Sequence, residues 1–298
     1  MSKLGVLLFR KIFESGDAKR IASQKQDLSD LEIRKDIPYR NDGDRGHLLD
    51  IYALPDTPAD APVMVNIHGG GLFASYKEVN AHFNYEWARM GYRVVSISYR
   101  RIPEVTMIWQ VSDVMYALRF LQENRRDLGL HLDNAYLTGD SAGALLALFA
   151  LSLNSSEELQ RIFHVPSAGF SFKAAGLISI MLDTQRRDIM RVINSVILGK
   201  RKVSEMYEEY LLAPEKLLEE AELPPLYLVT SKEDLIRKDT LKLASRLKDN
   251  GDVFILKDYP KGQTHKLGHV FSVTYPMYEE SREVFREMSR FFEAHSGY

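Results

Sequence analysis

The sequence predicts an α/β fold in which helices flank a mostly parallel central sheet. Two observations support this prediction. Strand-like segments alternate with segments of helical spacing, and glycine-rich motifs follow two of the predicted strands. The chain has 298 residues, of which 45% are hydrophobic and 27% charged, as in ordinary globular proteins. We therefore expect one domain, residues 1–298, that includes a smaller inserted segment.

The first predicted element is a hairpin at the antiparallel edge of the sheet. Its two strand-like runs, at 31–39 and 47–54, are separated by the turn signal Asn41-Asp42-Gly43-Asp44. The strands that follow are predicted within 62–71, 92–100, 134–140, 173–180, 225–231 and 252–259. Helical spacing and glycine stops predict helices at 76–91, 108–129, from Ser141 onward, at 238–251 and at 275–295.

Two segments fall outside this alternation of strands and helices. One is the helical stretch at about 1–30, and the other is a charged helical insert at about 183–216. Ligands of open α/β sheets bind at the carboxyl ends of the strands. We therefore expect the two segments to form a helical cap over that edge of the sheet.

Composition and charge exclude several classes of function. The formal net charge is −2 and the basic residues are scattered, so no nucleic-acid-binding surface is predicted. The sequence contains no cysteine, which excludes disulfides, thiolate metal ligands and a cysteine nucleophile. The apolar run Leu4–Phe9 is too short for a secretory signal, and no segment approaches the ~18 apolar residues of a membrane span. We predict a cytoplasmic protein, with an interfacial membrane helix as the alternative for the N-terminal segment.

A serine flanked by glycines follows the strand predicted at 134–140. The segment Gly139-Asp140-Ser141-Ala142-Gly143 matches the pattern G-x-S-x-G. Between a strand and a helix, this pattern places the serine in a strained turn that exposes its hydroxyl group. Taken alone, the motif also fits a glycine-rich turn before a helix that is capped by serine. The predicted strand and helix on either side favour Ser141 as a nucleophile.

Three consecutive glycines follow an earlier predicted strand, in His68-Gly69-Gly70-Gly71. Because they have no side chains, their N–H groups can approach a ligand oxygen closely. Such donors form the oxyanion hole of acyl-transfer enzymes. We predict the N–H groups of Gly69 and Gly70 as donors, with that of Ala142 at the start of the next helix. A flexible loop is the alternative, and the position directly after a buried strand disfavours it.

These motifs resemble those of the hormone-sensitive-lipase-like branch of the α/β-hydrolases, in its bacterial esterase type. The resemblance runs from about residue 45 to the end of the chain. It includes HGGG, GDSAG, the segment LAPEKLLEEAELPPLYLVTSKEDLIRKD, and His-Val-Phe before the last predicted helix. It implies an α/β-hydrolase fold with a helical cap formed by an N-terminal and an inserted segment.

A serine nucleophile needs a histidine base and a carboxylate that fixes the tautomer of the histidine. In α/β-hydrolases the acid and then the histidine follow the serine along the chain. The family pattern Asp-Pro-Leu-Arg-Asp corresponds here to Asp234-Leu235-Ile236-Arg237-Lys238-Asp239, which favours Asp234 as the acid and leaves Glu233 as the alternative. His269 precedes Val-Phe as the family histidine precedes Gly-Phe, and we favour it over His265.

The sequence therefore predicts a serine carboxylesterase that forms an acyl-enzyme and needs no metal or organic cofactor. The resemblance implies small acyl esters as substrates and a possible homodimer. One alternative is a deacetylase or aromatic-acyl esterase with the same mechanism. Another is a non-catalytic ligand-binding member of the fold, which the two available histidines disfavour. The expected partner is a small-molecule ester, with no nucleic acid and no membrane span.

Overall fold

The computed structural model describes residues 3–24, 26–185 and 206–297. Within these residues, eight strands form one sheet in the order β1-β2-β4-β3-β5-β6-β7-β8. The strands are β1 (Glu32–Pro38), β2 (Leu48–Ala53), β3 (Val63–Ile67), β4 (Arg93–Ile97), β5 (Ala135–Asp140), β6 (Ala174–Ile178), β7 (Leu226–Ser231) and β8 (Phe254–Tyr259). Strand β2 pairs antiparallel with β1 and β4, whereas all pairs from β4 to β8 are parallel. The predicted α/β fold and its antiparallel edge hairpin are confirmed.

Helices connect the strands and cover both faces of the sheet. They are α1 (Lys3–Ser23), α2 (Ala81–Arg89), α3 (Met107–Glu123), α4 (Arg125–Leu128), α5 (Ala142–Ser155), α6 (Glu157–Phe163), α7 (Glu208–Leu212), α8 (Arg237–Asn250), α9 (Phe271–Thr274) and α10 (Glu279–Ala294). Short 3-10 helices occur at Arg45–His47, Lys77–Asn80, Leu132–Asn134 and Pro214–Glu219. The helix predicted at 108–129 is interrupted at Asn124, whose side chain donates to the Phe120 carbonyl at 2.9 Å.

The core lies on both faces of the sheet. The central strands β3, β5, β6 and β7 are buried along their whole length, as expected for parallel strands covered on two sides. Buried residues of α3, α5 and α8 pack on one face, and those of α2 and α10 pack on the other. Helix α5 is buried at twelve of its positions, so it forms the centre of the first layer.

The parallel register brings the two glycine motifs together. Ile67 of β3 is paired with Gly139 of β5, and Asp140 is paired with Ile178 of β6. All three strands end at the same edge of the sheet because they run in the same direction. The loop after β3 and the turn after β5 therefore lie side by side.

The two predicted cap segments are described to different extents. Residues 1–30 contain α1, whose Phe9 and Phe13 rings lie 5.3 and 5.7 Å from the ring of Phe73. In the insert predicted at 183–216, residues 186–205 lie outside the described residues. Of the helices described, none has the length and apolar character needed to cross a bilayer.

Candidate active site

Ser141 occupies the sharp turn between β5 and α5. Its φ of 52° and ψ of −117° lie in a region that non-glycine residues rarely adopt. The turn is held by hydrogen bonds from Ser141 N–H to the Ile178 carbonyl, at 2.9 Å, and from Met181 N–H to the Ser141 carbonyl, at 3.1 Å. A Cβ on Gly139 would lie 2.6 Å from the backbone of Gly143, and a Cβ on Gly143 would overlap the carbonyl oxygen of Ile67. Both flanking positions therefore require glycine, as the motif predicts.

Three predicted site residues form a chain of hydrogen bonds. His269 Nε2 lies 2.9 Å from Ser141 Oγ, and His269 Nδ1 lies 2.8 Å from Asp234 Oδ1. The Asp234 side chain is fully buried, whereas 23% of the His269 side chain is exposed. In this arrangement the Ser141 hydroxyl donates to His269, and His269 donates to the carboxylate.

The surroundings of Asp234 keep its carboxylate ionised. Burial by itself would raise the pKa of Asp234, but the hydrogen bond and charge of His269 hold that pKa below its usual value. The carboxylate also accepts hydrogen bonds from Ile236 N–H and from the Thr230 hydroxyl, both at 3.0 Å. An ionised carboxylate can fix the orientation and tautomer of the His269 ring.

The alternatives Glu233 and His265 lie outside this chain of hydrogen bonds. Glu233 Oε2 accepts from the N–H groups of Gly262 and Leu267, at 3.0 and 2.8 Å. These backbone donors lower the pKa of Glu233. The His265 ring stacks on Tyr278, with centroids 3.6 Å apart, and its Nε2 lies 3.2 Å from Glu280 Oε2. Of the predicted candidates, the structure thus brings Asp234 and His269 to Ser141.

His68 has a structural position behind the glycine loop. Its ring is buried, stacks on Tyr99 at 4.4 Å between centroids, and donates from Nδ1 to the Gly69 carbonyl at 2.6 Å. Burial lowers the pKa of His68 to about 4, so its ring is neutral at neutral pH.

The glycine loop differs from the prediction at one donor. The Gly69 N–H donates to Asp140 Oδ1 at 3.0 Å, and the same oxygen accepts from Asn80 Nδ2 at 2.7 Å. Gly69 therefore braces the loop against the serine turn, and its predicted place among the oxyanion donors does not fit this geometry. Asp140 is buried, and burial raises its pKa despite these hydrogen bonds.

Three other N–H groups at the site are open. Among the described residues, those of Gly70, Gly71 and Ala142 make no hydrogen bond. Gly70 and Gly71 have φ values of 112° and 60°, which glycine adopts without strain. The N–H of Ala142 is one of the unpaired donors at the start of α5. Gly71 was not among the predicted donors, because the sequence does not show which glycine faces Asp140.

A cavity of about 230 Å³ lies in front of Ser141. Its walls are mainly apolar and include Phe9, Phe13, Phe73, Met181, Leu235 and Val273. Helix α1 supplies one wall of the cavity. The side chains of Asp17 and Arg20, also on α1, are polar members of the lining.

Sequence comparisons relate the chain to known esterases. The BD-FAE family model matches residues 49–236, more than half of the chain, and this range includes Ser141 and Asp234. Esterase LipQ of Mycobacterium tuberculosis is 38% identical over 123 residues, which cover 40% of this chain. The match spans only 29% of the length of LipQ.

Solved structures match almost the whole chain. Esterase B from Lactobacillus rhamnosis (HN001) superimposes with a TM-score of 0.91 at 26% identity, over 99% of this chain and 95% of that chain. Esterase B inhibited by a C4-C4 SN3 tributyrin phosphonate gives 0.90 at 26% identity, over 100% and 97%. An esterase of the bacterial hormone-sensitive lipase family shares the fold, with a TM-score of 0.74 at 20% identity over 96% and 90%. The chain therefore belongs to the BD-FAE family, and it shares its fold with esterases of the bacterial hormone-sensitive lipase family.

Proposed function

We propose that the protein is a serine carboxylesterase that hydrolyses small acyl esters through an acyl-enzyme. The observation that carries this proposal is the chain of hydrogen bonds from Ser141 through His269 to Asp234, at the edge of an apolar cavity. A serine hydroxyl, a histidine base and a buried carboxylate in this order are the groups that acyl transfer requires.

In the first half of the reaction, Ser141 Oγ attacks the ester carbonyl carbon while His269 Nε2 takes the hydroxyl proton. The negative charge on the carbonyl oxygen is stabilised by N–H groups that are already oriented. We assign this role to the open N–H groups of Gly70, Gly71 and Ala142. Asp234 stabilises the imidazolium ion that forms.

The first tetrahedral intermediate then collapses and the C–O bond to the alcohol breaks, which completes the first half of the reaction. His269 gives its proton to the leaving alkoxide, and the acyl group stays on Ser141. A water molecule then loses a proton to His269 and attacks the acyl-enzyme. Collapse of the second intermediate releases the carboxylic acid and returns the proton to Ser141.

The size of the cavity supports small esters as substrates. About 230 Å³ bounded by the rings of Phe9, Phe13 and Phe73 fits short acyl groups better than long chains. The tributyrin phosphonate that inhibits esterase B carries C4 groups, which supports esters of about this length for the present chain. Deacetylase and aromatic-acyl esterase activities use the same groups and stay predictions that a substrate series tests.

We also infer a single domain, 1–298, in which residues 1–30 form part of a cap through α1. Phe9 and Phe13 support this inference because they line the cavity from outside the sheet. The cytoplasmic location and the possible homodimer remain predictions.

The proposal is tested by labelling and by hydrolysis. A fluorophosphonate probe should label Ser141, located by peptide mass spectrometry, and should not label a Ser141→Ala variant. Hydrolysis of p-nitrophenyl acetate, butyrate and octanoate should fall from butyrate to octanoate and vanish in the variant. Failure of the probe to label Ser141, together with inactivity on all three esters, would favour the non-catalytic alternative.

A further inference from the structure

Two charged side chains of α1 face a cavity whose other walls are mainly apolar. Asp17 and Arg20 both line the space in front of Ser141, with 23% and 17% of their side chains exposed. Their neighbours on the same helix, Phe9 and Phe13, are apolar, as expected for an ester-binding wall. Asp17 and Arg20 thus form a polar corner of the cavity. This corner reduces the affinity of the wall for hydrocarbon, since polar groups lose hydration when an apolar ligand covers them.

The hydrogen bonds inside this corner leave some acceptor sites of the Asp17 carboxylate unused. Arg20 Nη2 lies 3.2 Å from Asp17 Oδ1, and Arg20 Nη1 donates to the Thr274 carbonyl at 3.1 Å. Asp17 Oδ2 accepts from the Ser75 hydroxyl at 3.4 Å, which is a long hydrogen bond. A carboxylate has about four lone-pair sites, so Asp17 can accept further hydrogen bonds.

Other residues also attach α1 to the sheet domain. Arg10 is buried and donates to the carbonyls of Phe73 and Ile102, and it also pairs with Glu104. One turn further on, Glu14 accepts from the N–H of Ser75 at 2.9 Å. These contacts hold the helix in place, and a docking role alone does not require Asp17 and Arg20 to face the cavity.

The opposite charges select the kind of group that fits here. Asp17 and Arg20 neutralise each other, so the corner has no net charge to attract an ionised ligand. A hydroxyl group can donate to the Asp17 carboxylate and accept from the Arg20 guanidinium at the same time. Hydrogen bonds to charged partners are among the stronger ones in proteins.

We propose that Asp17 and Arg20 form a subsite for a hydroxyl group carried by the ester substrate. This inference rests on the proposed esterase function and narrows its substrates to short esters that bear a hydroxyl near the scissile bond. The hydroxyl belongs either to the alcohol part, as in a partial ester of a polyol, or to the acyl part, as in a hydroxy-acid ester. In both cases the chemistry at Asp17 is the same.

The test compares esters in which a hydroxyl replaces a methyl group. For the alcohol part the pair is 2-hydroxyethyl butyrate and propyl butyrate; for the acyl part it is ethyl 3-hydroxybutyrate and ethyl 3-methylbutyrate. The measured quantity is kcat/KM for the hydroxyl ester divided by kcat/KM for its methyl counterpart. This ratio is measured for the wild type, Asp17→Ala and the control Lys19→Ala. Lys19 is an exposed charged residue on the same helix. Asp17→Ala should lower the ratio about tenfold in one pair, the effect of losing a hydrogen bond to a charged group, and Lys19→Ala should leave it unchanged.

Each outcome decides between the possibilities. A lower ratio in the first pair assigns the hydroxyl to the alcohol part, and a lower ratio in the second pair assigns it to the acyl part. Unchanged ratios in both pairs overturn the subsite and leave the esterase standing. Wild-type inactivity on all four esters overturns both proposals. If Asp17→Ala melts far below the wild type, Asp17→Asn provides the same comparison with the helix contacts kept, and it should give a smaller decrease of the ratio.

Discussion

Glu233 holds the loop that carries His269, through a hydrogen bond of 2.8 Å from the N–H of Leu267 to its Oε2. The same oxygen accepts a hydrogen bond from the N–H of Gly262, so the Glu233 carboxylate binds both ends of the 262–267 loop. Glu233 is also the sequence neighbour of Asp234. The acid candidate and the base candidate are thereby fixed relative to each other by backbone as well as by side chains.

We expect Glu233→Ala to reduce kcat for p-nitrophenyl butyrate about 10- to 100-fold with little change of KM, because a small displacement of a catalytic group slows the chemical step. Glu233→Gln keeps an acceptor oxygen and should therefore have a kcat between those of Glu233→Ala and the wild type. Glu280→Ala is the matched control, since it removes the contact of His265 in the same loop. A Glu233→Ala enzyme with the wild-type kcat would show that the loop is positioned by other contacts.

Asp234→Asn tests the role of the buried carboxylate. An asparagine in the same position can donate to His269 Nδ1 and would stabilise the tautomer that cannot accept the Ser141 proton. We expect kcat to fall by about 10⁴-fold, with an unchanged fold by circular dichroism. A loss of less than about tenfold would place the acid elsewhere, and Glu233 would then be the next residue to examine.

The buried His68 makes stability depend on pH. Its folded pKa of about 4 lies below the unfolded value near 6.5. Between these two values the unfolded chain binds a proton that the folded chain does not, so stability falls as pH falls, by up to about 1.4 kcal/mol per unit. His68→Phe keeps a ring against Tyr99 and loses the titrating group, and Nε2 of His68 has no hydrogen-bond partner among the described residues.

We therefore expect urea denaturation to show a smaller decrease in the free energy of unfolding for His68→Phe than for the wild type between pH 6.5 and pH 4. Both proteins share all other titrating groups, so the difference between their curves isolates His68. Parallel curves over this range would contradict the neutral, buried state of the ring.

Arg10 tests whether α1 shapes the cavity. Arg10→Met leaves the carbonyls of Phe73 and Ile102 unpaired and removes the ion pair with Glu104. We expect α1 to detach more readily, KM for p-nitrophenyl butyrate to rise about tenfold, and limited proteolysis within α1 to become faster. The control is Lys11→Met, which changes an exposed neighbour. Unchanged KM and proteolysis for Arg10→Met would argue against a cap formed by α1.

The sequence sufficed for features that depend on local pattern and strand order. Ser141 follows β5 at a glycine-flanked turn, and parallel strands bring their carboxyl ends to one edge. The loops that carry Asp234 and His269 therefore meet Ser141 once the order of strands is known. The hydrophobic periodicity likewise predicts β5, α5 and α10 within a few residues.

Features that depend on contacts between distant segments could not be predicted. The hydrogen bond from Gly69 to Asp140 requires β3 and β5 to be adjacent with Ile67 opposite Gly139, and no local pattern shows that register. The contact of Arg10 with Glu104 joins segments 94 residues apart. Glu233 resembles an acid candidate in sequence, and only the position of the 262–267 loop shows that its oxygen is used by backbone N–H groups.

The central claim is that Ser141 is activated by His269. The most direct measurement is kcat/KM for p-nitrophenyl butyrate in His269→Ala beside His265→Ala, with the wild type measured in parallel. The geometry predicts a loss of at least about 10⁴-fold for His269→Ala and near wild-type activity for His265→Ala. If His269→Ala remains active while His265→Ala is inactive, the hydrogen bond of 2.9 Å between His269 and Ser141 is not the one that transfers the proton.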